Sequence, residues 1–183
     1  MHLFGERGFS AVRTSDIARA AGVAEGTLFH HFGSKKGVLA AVAESYGRGF
    51  THAMFSGIDA DAGLPSVEST VRRGFEYVEH SEPQFAVFLL ADEASGADVA
   101  RSANRAAIVG RLQEVFFGWR ARGWIREVDP SVAADLCYGL VEAALKACYV
   151  SSRTSNTRAY VSEVVRCIET MLLPERTSSR ERG

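Results

Sequence analysis

Apolar residues return every three or four positions along most of this chain, the spacing of a helix that buries one face. Val67, Val71, Phe75 and Val78 follow it, as do Ile108, Leu112, Val115 with Phe116, and Trp119. Strand-like alternation is scarce and prolines number four, so the pattern predicts an all-α protein. Helix-breaking positions divide it: Gly22, Gly33–Ser34, a DADAGLP loop at 59–65, Glu82–Pro83, Ser95–Gly96, the stretch from Gly123 to Pro130, and the polar run SSRTSNT at 151–157. They delimit about nine helices, the first three short and the later ones long. Residues 1–44 and 45–173 are expected to form two helical units, followed by a disordered tail, PERTSSRERG, at 174–183.

The segment 132–150, VAADLCYGLVEAALKACYV, carries charge only at Asp135, Glu142 and Lys146. A helix apolar around most of its circumference must be covered on more than one side. The next helix, at about 157–172, is similarly broad in its apolar coverage. Two such helices in succession predict a homodimer joined through Leu136, Leu140, Ala144, Val164 and Ile168 in an isologous contact. The other reading, that both are core helices of a monomer, stays open.

Composition narrows the class. The chain has 183 residues, 46% hydrophobic and 23% charged, enough for one sizeable core or a small module docked on a larger one. The opening MHLFGERGF reaches a glutamate and an arginine before any apolar signal region forms, and the longest apolar run, FAVFLLA at 85–91, is too short to span a bilayer. A cytoplasmic protein without membrane contact is expected. Three cysteines at spacings that match neither a zinc pattern nor a disulfide framework agree with a reducing compartment. Net charge is −1, yet residues 1–50 hold six Lys/Arg against four Asp/Glu, so affinity for a polyanion is expected at the N-terminal end.

That end has its own punctuation. Thr14 and Ser15 can cap a helix DIARAA, with Asp16 in its first turn where the dipole favours an acid. Gly22 suits a left-handed C-cap. A second short helix, EGTLFHHF, follows after Val23 and Ala24, and Ile17, Ala21, Val23, Leu28 and Phe32 supply apolar faces while Ala18 is small enough for a close crossing. Two short helices about a tight turn read as a helix-turn-helix over residues 1–44.

Residues 9–39, FSAVRTSDIARAAGVAEGTLFHHFGSKKGVL, resemble the DNA-binding segment of the TetR family of bacterial transcriptional regulators. The matching features are the G-F before the first motif helix, T-x-x-D-I-A-x-x-A-G-V across the turn, G-T-L-F-H-H-F in the recognition helix, and G-S-K-K at the start of the fourth. The resemblance implies base-edge contacts from Glu25, Gly26, Thr27 and His30, and phosphate contacts from Thr14, His31 and Lys35. Phe29 belongs to the same DNA-facing set but stands where tyrosine is usual, which leaves its ring to pack without a phosphate-contacting hydroxyl. Side-chain chemistry agrees: Thr and neutral His donate to phosphate oxygens, and Lys35 lies in the first turn after the expected N-cap Ser34, where free backbone N–H groups favour an anion.

The family also implies a pseudo-palindromic double-stranded DNA operator, a homodimer, and a small-molecule effector that releases a repressor. Departures are Ala24 at a capping position, Lys36 where an acid is common, Gly37 in a first turn, and only MHLF before G-E-R-G-F, a truncated first helix. From that truncation follows the alternative, an effector-binding and dimerisation protein with impaired DNA binding.

Other chemistry finds little support. Adjacent histidines on a helix point about 100° apart, so His30 and His31 cannot chelate one ion as an i,i+4 pair does. No HExxH, GxSxG or phosphate-cradling glycine loop occurs, and DADAG fails the later positions of a calcium loop. No metal, cofactor or catalytic residue is expected. Phe50, Met54, Phe75, Phe85, Phe88, Phe116, Trp119 and Tyr138 are candidates to line an apolar effector cavity, against the plainer reading of core packing. The fourth helix, Ser34 to about Ser56, is expected to carry the signal from that cavity to Lys35. Cys137 and Cys148 share a helix face and read as small buried hydrophobes before redox sensors.

Overall fold

The computed structural model describes residues 1–56, 63–91, 98–151 and 156–173. Among these residues the secondary structure is helical throughout: α1 (His2–Ala11), α2 (Thr14–Ala21), α3 (Glu25–Phe32), α4 (Lys35–Phe55), α5 (Ser66–His80), α6 (Pro83–Leu90), α7 (Asp98–Ala121), α8 (Pro130–Leu145) and α9 (Thr157–Leu172). The last turn of α8 passes into a π-helical run, Lys146–Ser151. Most of the expected DADAGLP loop, the Ser95–Gly96 break, residues 152–155 and the tail 174–183 lie outside the described residues.

The local signals account for most of the ends. Gly22 terminates α2 in the left-handed region (φ 68°, ψ 28°), and the Val23 N–H donates to Ala18 O at 3.0 Å. That conformation suits glycine, which has no Cβ to clash. Ser34 caps α4 by accepting from the Gly37 N–H at 3.0 Å, and Asp129 caps α8 ahead of Pro130 by accepting from Ser131 N–H at 2.7 Å. The cap expected from Thr14 and Ser15 does not form. Arg13 occupies the N-cap position of α2 without a side-chain hydrogen bond, because the Thr14 hydroxyl turns toward α3.

One buried cluster runs through the chain, from Phe4, Val12 and Leu28 in the first three helices to Leu39, Phe85, Phe116 and Leu172 behind them. Each fully buried side chain of this size contributes about 1.5–3 kcal/mol. α4 packs on α5 and α7, α7 on α8, and α9 on α5 and α8. α1 rests against α6: Phe4 stacks on Phe88 with ring centroids 6.4 Å apart, and a Cβ at Gly5 would stand 2.6 Å from Phe85 N. The expected division at 44/45 falls inside α4, which runs unbroken across it.

The seam expected on α8 and α9 is mostly internal. Val164 and Ile168 are each 4% exposed and Ala144 8%, all within this chain's own core. Leu140 is half-buried, and Leu136, 56% exposed, is the member that faces outward. α9 turns these apolar residues toward α5 and α8, so a second copy is not needed to cover them.

Candidate nucleic-acid interface and cavity

α3 buries Leu28 and exposes every other side chain it has. Glu25, Gly26, Thr27, Phe29, His30 and His31 are all in solvent, and the space around Gly26 is open to 4 Å. Phe29, at 44%, and Phe32, at 43%, are unusually exposed for aromatic side chains. The His30 and His31 rings stand edge to face, 5.5 Å apart. The Thr14 hydroxyl donates to the Glu25 carboxylate, which pins the start of α2 to the first turn of α3. Thr14 and Glu25 therefore satisfy one another in this conformation and fix the angle between the two motif helices.

Lys35 has a different partner from the one expected. Its ammonium donates to Phe9 O and Val12 O, both at 2.9 Å, and lies 4.5 Å from the Phe9 ring centroid. Carbonyls at a helix C-terminus lack intrahelical donors and attract a cation. In this DNA-free conformation Lys35 ties the end of α1 to the start of α4. Lys36 and Arg13 are the exposed cations beside it; adjacency to the motif was the available signal for both.

Behind the motif, α4 to α8 line a cavity of about 160 Å³ that is partly open to solvent, with α9 contributing Ile168. Of the candidate lining residues, Phe50, Met54, Phe116, Trp119 and Tyr138 are on its wall. Phe75, Phe85 and Phe88 are not, and that expectation is corrected. Phe75 leans on Tyr149, with ring centroids 6.2 Å apart. Phe85 fills the space between Tyr46 and Phe88 at 5.6 and 5.9 Å, and Phe88 continues to Phe4. Sequence reasoning missed Tyr46, Thr70, Arg101, Asn104 and Glu142 on the wall, because polar residues at helical spacing carry no mark of facing inward.

Burial pushes the Cys137 thiol up to about 12 and raises that of Cys148 as well. Both remain protonated at neutral pH, the unreactive form. No helix among the described residues is long and apolar enough to cross a membrane.

A helix-turn-helix with an exposed second helix, joined by one continuous helix to an all-helical body with a cavity, defines a class of protein. The family model for bacterial regulatory proteins of the tetR family matches residues 1–42, so the likeness to that family lies in the N-terminal helix-turn-helix segment. It is 35% identical over 94 residues to the HTH-type transcriptional repressor KstR2 of Rhodococcus jostii strain RHA1, a match spanning 47% of this chain and 43% of that repressor. Whole-chain similarity is one of fold. SmeT, repressor of the Stenotrophomonas maltophilia multidrug efflux pump SmeDEF, superposes with a TM-score of 0.75 at 18% identity, over 94% of this chain and 86% of its own. The fatty acid degradation regulator FadR from Bacillus halodurans does so with a TM-score of 0.75 at 18% identity, over 90% and 87%.

Proposed function

We propose that this chain is a transcriptional repressor that binds a pseudo-palindromic DNA operator as a homodimer and leaves it when a small molecule enters the cavity. The observation that carries the reading is α3: a helix with Leu28 alone buried presents Glu25, Gly26, Thr27 and His30 toward base edges and His31 toward phosphate. Hydrogen bonding from such side chains reads the major groove, while exposed cations such as Arg13 and Lys36 supply the salt-dependent part of the affinity.

The dimer seam in this reading is a single stripe on α8. Val132 and Leu136 are exposed at 53% and 56%, and Leu140 and Ala143 continue the line at i+8 and i+11. Two antiparallel copies of that stripe close a two-fold contact. α4 joins the two sites, with Lys35 at the motif and Phe50 and Met54 on the cavity wall.

Selection from a random duplex pool tests the reading. An enriched site with two-fold symmetry and half-sites about one helical turn apart is expected; a pool no better bound after selection than before would overturn it.

A further inference from the structure

We infer that the effector is a compact, uncharged, largely apolar molecule carrying one hydrogen-bond acceptor, and that the Tyr46 hydroxyl of α4 is the donor that recognises it. This rests on the cavity being the effector site. Tyr46 lines the cavity and is 6% exposed. Among the described residues its hydroxyl is the one buried side-chain oxygen or nitrogen without a hydrogen-bond partner. The neighbouring aromatics hold the ring in place, with Tyr77 and Phe85 edge to face at 5.1 and 5.6 Å. Tyr77 donates to the Tyr46 carbonyl at 3.4 Å, not to its hydroxyl.

Such a hydroxyl is costly to leave unpaired, since it has lost water and gained nothing in exchange. Burial raises its pKa, so it keeps its proton and remains a donor.

Several other polar groups on the wall already have partners. Ser66 donates to Gly63 O at 2.7 Å and Thr70 to Ser66 O at 2.8 Å. Asn104 accepts from the Thr51 hydroxyl at 3.1 Å. Arg101 is paired with Asp98 and reaches Leu89 O at 3.4 Å. With Arg101 neutralised and Glu142 also on the wall, an anion finds no free positive charge. The volume of about 160 Å³ is that of a cavity which takes a single benzene-sized ring. One ring and one carbonyl oxygen fit this description.

Acetophenone and α-methylstyrene form a near-isosteric pair, alike except that a carbonyl replaces a methylene group. Calorimetric titration of the full chain should show the ketone binding more tightly by roughly 2- to 12-fold, the worth of one neutral hydrogen bond. Tyr46→Phe should abolish that preference while leaving α-methylstyrene affinity within about 2-fold. Without ligand, the variant should melt no lower than wild type, because an unpaired hydroxyl has been removed. A lower melting temperature would mean that the hydroxyl has another partner and would overturn the assignment.

Equal binding of both probes to wild type, or a ketone preference that survives in Tyr46→Phe, would also overturn it while leaving the cavity as a ligand site. Tighter binding of benzoate or 1-phenylethylammonium than of acetophenone would overturn the uncharged class. Absence of binding by either neutral probe at millimolar concentration would overturn both this inference and the cavity reading.

Discussion

Asn104 of α7 lies so close to Gly47 of α4 that a Cβ at position 47 would stand 2.7 Å from its side-chain amide. Asn104 also accepts from Thr51, one turn further along α4, at 3.1 Å. Both Gly47 and Asn104 line the cavity, so this contact sets the spacing of α4 and α7 at its wall. Gly47→Ala should separate them. Overpacking of this kind costs about 1–3 kcal/mol, a fall of about 2–12 °C in melting temperature for a chain of this size. Adding Asn104→Ala to Gly47→Ala should recover part of the loss, and additive melting shifts in the double variant would show that the two residues are not coupled.

Lys35 and its neighbour should separate in a salt titration. Lys35→Met removes two charge-assisted hydrogen bonds to the end of α1 and should lower stability by about 1.5–3 kcal/mol, with no change in the salt slope of DNA binding. Lys36→Ala or Arg13→Ala should leave the melting temperature nearly unchanged and flatten the log–log slope by about 0.9 per site. A flattened slope in Lys35→Met at unchanged stability would restore Lys35 to the phosphate.

Much of this architecture was readable in the sequence. The 3.6-residue period marks a buried stripe wherever a helix lies against others, Gly22 acts through its own backbone, and Ser34 through a hydroxyl that reaches only three residues along the chain. Contacts set by distant residues left no local trace. Lys35 meets carbonyls 23 and 26 positions away, and nothing near it distinguishes that role from a phosphate contact. Phe75, Phe85 and Phe50 share one apolar signature, yet only Phe50 borders the cavity. Burial follows from periodicity, whereas which buried face opens onto a void depends on how six helices meet. Likewise the broad apolar coverage of α8 and α9 could not say whether this chain or a second one supplied the cover.

The seam assignment predicts opposite outcomes for two charges on α8. Leu136→Glu changes an exposed position and should yield a folded monomer that no longer binds a two-fold operator. Ala144→Glu buries a charge in the chain's own core and should prevent folding. Sedimentation and circular dichroism on both variants check this. A dimeric Leu136→Glu, or a folded monomeric Ala144→Glu, would move the seam.

Thiol chemistry gives a further check on packing. Of the three cysteines, Cys167 is exposed and Cys137 and Cys148 are buried. A chromogenic disulfide reagent at pH 8 should titrate one thiol quickly in the native protein and the remaining two after denaturation. Rapid native reaction of more than one would contradict the packing of α8.

α3 is expected to read sequence. Competition anisotropy between the selected duplex and a scrambled duplex of equal length, at physiological salt, measures this in one experiment. A preference of at least about 10³-fold is expected for wild type, and Thr27→Ala or His30→Ala should each reduce it by about 1–3 kcal/mol. A wild-type preference within a few-fold, unaltered by either substitution, would contradict the assignment of α3 as the reading helix.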